Sequence, residues 1–217
     1  MWRYDEWVRK ASQFFEAPKS LHGEFDCRFS ALPSLDEEAV SSLDRQLRIK
    51  MPSGIREFLL VGAGGLSYSM HFHPNDEGLK IMEELFWHER ALVSSLELCV
   101  ASEFADYQVC CIEWTSTWPE SQSKLFWHEL FPFAYISTGD SIGMEPPQTG
   151  GSSIYYMNHD GEENMPKIAD SFEEYLELMQ ELCFLNFYQW HNFMDPKTNK
   201  IRRDEKLRKL HQLFGVT

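Results

Sequence analysis

Residues 131 to 181 change their apolar rhythm partway along, and that change limits the folds open to the chain. Phe131 to Thr138 and Ile154 to Met157 are short runs rich in aromatic and β-branched residues, the composition of strands. Gly139 and Asp140 stop the first run. Asn158, His159, Asp160 and Gly161, all turn formers, stop the second. Beyond them Phe172, Leu176, Met179 and Leu182 recur at helical spacing, with Glu174 and Glu177 on the other face. Asp170 and Glu173 stand three apart, as a capping box requires, and Pro166 lies upstream where it does not disturb the helix. Two strands covered by a returning helix make an α+β unit.

The remainder of the chain reads more unevenly. Trp7, Ala11 and Phe14 predict a first helix ending at Pro18, followed by an irregular segment from Leu21 to Pro33. Ser34 and Glu37 predict a capping box for a helix with Val40, Leu43 and Leu47 on its apolar face. Pro52 opens a further helix that turns Ile55, Phe58 and Leu59 inward and stops at Gly62, Gly64 and Gly65. From Leu66 to His73 apolar and polar residues alternate, predicting a half-buried strand with His71 and His73 on its polar face. Asn75 to Gly78 read as a turn, Leu79 to Ser95 as a helix, Tyr107 to Trp114 as a strand and Thr115 to Ser123 as a loop. The helix begun near Asp170 is expected to run on through Phe187, Tyr188, Trp190 and Phe193 to Pro196. Leu207, Leu210 and Phe214 form the apolar face of a last helix.

Charge narrows the possible partners. The 217 residues carry a formal net charge of −14. From Asp195 onward there are seven Lys or Arg against three Asp or Glu, a net of +4, which leaves −18 on the rest. An acidic body repels nucleic acid and anionic lipid and attracts a basic protein, although acidity also serves plain solubility. No apolar run approaches the ~20 residues of a membrane span, and the first residues lack a secretory apolar core, so a cytoplasmic location is expected. The five cysteines are scattered without a CxxC pair and read as reduced thiols.

Each chemical motif has a plain counterpart. His71 and His73 share a strand face, a spacing that suits a metal if His159 or Asp160 joins them, but two surface histidines look the same. His159 and Asp160 with Asp140 suggest acid–base chemistry, or the backbone bonding of two turns. Cys111 or Cys183 beside a histidine suggests a nucleophile, or a buried thiol. Gly62 to Gly65 lacks the Gly-Lys-Ser/Thr of a phosphate loop. Trp114, Trp118 and Trp127, with Phe126, surround a loop containing Pro119, and are either partner anchors or core. The basic tail lacks the interleaved aromatics of an RNA-binding segment and reads as a helix packed on acidic neighbours.

The order of these elements resembles the SUKH superfamily, which groups bacterial toxin-immunity proteins with the yeast cell-wall assembly regulator. The resemblance rests on the capped helix, Met-Pro-Ser-Gly-Ile-Arg-Glu-Phe-Leu-Leu at 51 to 60, Gly64-Gly65 before a strand, Phe131-Pro132-Phe133, Gly139-Asp140, His159-Asp160 and the run from Ile168 to Leu176. It covers residues 34 to 185. Met51 stands where the family has Leu, Ile55 where it has an aromatic, and Ala63 where Asn is common. The resemblance implies helices and a long C-terminal helix against a mainly antiparallel sheet. The chain as a whole is expected to divide into an N-terminal helical extension (1–30), a SUKH-like domain (31–194) and a basic C-terminal helix (195–217). The resemblance also implies a protein-binding module with no known catalysis; no cofactor or metal is expected. The bacterial members suggest an immunity protein that neutralises a toxin domain, often a basic nuclease; the alternative is a regulatory scaffold for endogenous proteins. His71, His73, Trp118, Asp140, Asp160, Glu162 and Glu163 are the candidate partner-binding residues.

Overall fold

The computed structural model describes residues 2–16, 20–87, 89–136, 138–160, 165–195, 197–198 and 200–216; the side chains of residues 122, 123 and 148 are also outside the described set. Its helices are α1 (Tyr4–Glu16), α2 (Glu37–Gln46), α3 (Ser53–Glu57), α4 (Asp76–Phe86), α5 (Phe104–Trp114), α6 (Gln122–Glu129), α7 (Phe172–Glu181), α8 (Phe187–Trp190) and α9 (Glu205–Phe214). Its strands are β1 (Gly23–Ala31), β2 (Leu66–Pro74), β3 (Leu92–Leu98), β4 (Phe131–Ile136), β5 (Ser141–Met144), β6 (Ile154–Met157) and β7 (Lys167–Ala169). The strands hydrogen-bond in chain order in one sheet, and the pairs from β3 to β7 are antiparallel. The fold is α+β.

The chain clusters into two compact units, Met1–Val8 with Ala31–Ser67 and Leu96–Leu176, and Arg9–Ser30 with Tyr68–Ser95 and Glu177–Thr217. In the first, the start of α1 packs on the π-helical turn Phe58–Gly62 that follows α3 and on α7. The Tyr4 ring meets Phe58 edge-on at 5.9 Å, and Phe58 meets Phe172 at 5.6 Å. Trp7 donates its indole N–H to the Leu176 carbonyl at 2.9 Å, and the Tyr4 hydroxyl donates to Glu173. A buried Gln108 on α5 clamps the chain after α2, accepting from the Arg48 and Ile49 amides and donating to the Ile49 carbonyl. Gly65, at φ +143°, lets β2 begin where a Cβ would lie 2.7 Å from the Val100 Cα.

The second unit holds β1, most of β2, the first half of β3, α4, α8 and α9. Phe15 stacks on Tyr68 at 4.9 Å and on Phe29 at 5.5 Å, with Phe184 beside it at 5.0 Å. On α9, Leu207, Leu210, Leu213 and Phe214 are buried. Its basic side is matched by acids, with Lys209 paired to Glu84 and Arg203 of the preceding turn paired to Glu181 at 2.8 Å.

Several sequence expectations are corrected. The irregular segment from Leu21 contains β1, whose half-buried alternation over Gly23–Ala31 is a strand signature. The cap of α2 is Asp36, which accepts from the Ala39 amide, rather than Ser34. At α7 the capping pair is shifted by one residue: Ser171 accepts from the Glu174 amide while Glu174 accepts from the Asp170 amide. Asn75 is a helix cap, accepting from Glu77 and Gly78, so the expected turn is the first turn of α4. The helix expected to reach Ser95 ends at Phe86, and Leu92, Ser94, Leu96 and Leu98 alternate inward as β3. Tyr107 to Trp114 is part of α5, not a strand; Phe104, Gln108 and Cys111 are the buried positions, at helical spacing. α7 stops at Glu181 because Cys183 and Phe184 take positive φ, so it does not run on toward 196; the expected stops Pro18 and Pro196 lie outside the described residues.

Candidate functional site

A cleft of about 200 Å³ opens in the first unit between α5, α6, β4 and two turns. Its floor is Trp127 of α6, which is 1 % exposed. Trp127 packs with Cys111, Leu130 and Met157, and its indole N–H donates to the Asn158 carbonyl at 3.3 Å. Trp114 ends α5 and is 47 % exposed. Trp118 follows on the loop between the helices, and Tyr135 of β4 forms the remaining aromatic wall.

Local hydrogen bonds fix this loop. The Trp118 amide donates to Thr115 O at 3.0 Å, and Lys124 Nζ donates to Trp118 O at 3.2 Å while pairing with Glu120 at 2.8 Å. Ser121 caps α6 by accepting from the Lys124 amide. Thr115 donates its one hydroxyl proton to Cys111 O at 2.8 Å, so His128 Nε2, 2.8 Å from the same oxygen, is the donor.

Opposite stand Gly139, in the β4–β5 turn, and His159, in the turn after β6. The group behind them is Asp140, only 5 % exposed. Its carboxylate accepts from Thr138 Oγ1 at 2.6 Å, from the Tyr156 hydroxyl, and from His159 at both the backbone amide (3.1 Å) and Nδ1 (2.7 Å). Burial alone pushes the Asp140 carboxyl up, but the bonds from Thr138, Tyr156 and His159 outweigh it and leave it below the usual carboxylate value. The Asp140 hydrogen bond is also the main reason His159 is raised above the ordinary imidazole value. His159 Nε2 lies 3.2 Å from Asp160 Oδ1, so the imidazole stands between two carboxylates.

Of the candidate binding residues, Trp118, Asp140 and Asp160 come together at this cleft. Asp140 is itself buried and acts through His159, the exposed imidazole that it holds in place. His71 and His73 lie on β2 in the second unit, their rings 4.0 Å apart. Glu162 and Glu163, with Gly161, lie outside the described residues. Among the described residues no group of three His, Cys, Asp or Glu is placed to hold a metal ion. The five cysteines are free; burial pushes the Cys111 thiol up to about 12 and Cys183 higher still, the opposite of what a nucleophile needs.

Tyr135 and Tyr156 escaped the sequence reading. Each sits in a short strand where an aromatic is ordinary, and only the pairing of β4, β5 and β6 sets one against the cleft and the other on Asp140. The Trp-rich loop and His159 were visible, but their convergence was not.

The SMI1 / KNR4 family (SUKH-1) model matches residues 34–178, a span that contains every residue of this cleft. No curated protein matches the chain. With well over half of its length matched, the chain belongs to the SMI1 / KNR4 family (SUKH-1).

Proposed function

We propose that the chain is an immunity protein: it binds a basic toxin domain and neutralises it, without turning over a substrate. Membership of the family supports a toxin-immunity or related protein-binding role. The observation that carries the finer reading is the aromatic cleft inside the matched span, where the half-exposed Trp114 and the partly buried Trp118 share a lining with His159, itself flanked by Asp140 and Asp160. Tryptophan gives large buried area at little entropic cost and dominates many interfaces. The net charge of −14 favours a basic partner and a fast, salt-sensitive encounter. Asp160, beside His159, would add a polar contact to that anchor, while His71, His73, Glu162 and Glu163 are carried over from the sequence as further candidate partner contacts.

The test begins with tagged chain used to capture partners from native lysate at low and moderate salt. A single stoichiometric basic protein should be recovered. Expressed alone it should halt growth, and co-expression of the chain should restore it, whereas the Trp114→Ala, Trp118→Ala double variant should not. Several substoichiometric partners, none toxic alone, would replace this reading with the regulatory scaffold.

A further inference from the structure

The cleft is a box rather than a slot. Trp118 and Trp127 stand 6.1 Å apart at 76°, Trp114 and Trp127 6.3 Å apart at 67°, and Trp114 and Tyr135 6.3 Å apart at 42°. A flat ring binds between parallel faces, and none of these neighbouring pairs is parallel. Walls meeting at such angles suit a compact, rounded head group. The volume, about 200 Å³, holds the end of one side chain and not a helix or strand.

The electrostatics are those of a cation site. Aromatic faces carry negative potential and attract a cation within ~6 Å of the ring centroid, most strongly for tryptophan. His159, which lines the box, is flanked by two carboxylates, the ionised Asp140 at 2.7 Å and Asp160 at 3.2 Å. Even a protonated His159 leaves this wall net negative. Lys124, the nearby amine on α6, is already held by Glu120 and the Trp118 carbonyl.

We propose that this cleft is a cation cage that receives the alkylammonium end of a lysine side chain on the partner protein, and that methylation of that amine tightens the fit. The identity of the carrier rests on the protein-binding reading above; the cage itself does not. A bare ammonium is strongly hydrated, and methyl groups lower the cost of removing that water while filling the box.

The probe is choline, compared with its neutral isostere 3,3-dimethylbutan-1-ol, titrated into the full chain at constant ionic strength. Indole fluorescence and the indole N–H cross-peaks are followed. Choline should bind saturably and at least ~10-fold more tightly than the alcohol. Trp114→Leu keeps an apolar wall but removes a π face, so it should weaken choline several-fold and leave the alcohol unchanged. Trp118→Leu should do the same, with the melting temperature reporting that each variant folds. Equal affinity for the two probes would make the cleft a plain apolar pocket and overturn the cage, as would no saturable binding of choline. A toxin whose binding survives Trp114→Leu and Trp118→Leu would overturn the lysine of the partner as occupant while the choline result still stands.

Discussion

The molecule contains two aromatic clusters built to different ends. In the second unit Phe14, Phe15, Phe25, Phe72, Phe184 and Phe214 lie 4.6–6.1 Å from one another and enclose nothing but themselves. They come mainly from regular elements, and the polar groups beside them are spent, with Tyr68 and Ser94 both donating to Phe184 O. In the first unit Trp114, Trp118 and Trp127 stand at similar spacings but around open space. Trp118 is presented by a loop and Trp114 by a helix end, and loops carry binding groups because they need not close a core. Similar ring distances therefore describe a closed core in one place and a recognition surface in the other. What separates the two is whether the rings close on one another or leave a cleft between them.

The comparison breaks first at its closed side. Phe15→Ala, which removes a ring buried among four aromatic neighbours, should cost about 3–5 kcal/mol, read as a lower urea midpoint. A loss under ~1 kcal/mol would mean that cluster is not close-packed.

Asp140→Asn tests the polar wall of the cleft. It removes the charge that gathers Thr138, Tyr156 and His159 and should cost about 2–3 kcal/mol near neutral pH. Asp140 is depressed in the folded state, so its contribution is complete above its unfolded value and is lost as pH falls through the folded one. His159 is raised, so its share is complete below its unfolded value and is lost as pH rises through the folded one. The gap between wild type and variant should thus be widest between about pH 4 and 6.5. Melting curves across pH 3–9 check this; a gap that stays flat above neutrality would uncouple His159 from Asp140.

Gly139→Ala probes the turn between them. At φ +99° any side chain is strained, and the new Cβ would sit 3.4 Å from the His159 ring. A loss of about 1–2 kcal/mol in chemical denaturation is expected.

Trp114→Ala should have the smallest effect on stability, within about 0.5–1 kcal/mol, because the indole is already half exposed. Its effect on partner capture should nevertheless be the largest of the four. A large stability loss would move Trp114 from the open cluster to the closed kind.

Where local chemistry is unambiguous, the sequence was legible. The alternation from Leu66 to His73 is β2, Ile154–Met157 is β6, and the apolar faces of α7 and α9 are those expected. The errors lie where one composition serves two structures. FADYQVCCIEW is rich in aromatic and β-branched residues yet forms α5, because burying Phe104, Gln108 and Cys111 together favours the helical period. A helix over Leu79 to Ser95 would take in Leu92–Ser95, although the alternation of LVSSLEL is that of β3. β5 and β7 are four and three residues long, too short to show a period, and they exist because neighbouring strands pair with them.

By itself the sequence determined the α+β class, the SUKH resemblance, the acidity and the supply of tryptophans beside a Pro-containing loop, since these depend on local period, composition and motif order. Only the tertiary structure decided that Trp114, Trp118, Trp127 and Tyr135 share one cleft, and that Asp140, read as half of a turn signal, is the buried acceptor holding His159 beside it. Those contacts join residues on separate elements, and strand pairing and helix packing set their register, which no local pattern encodes.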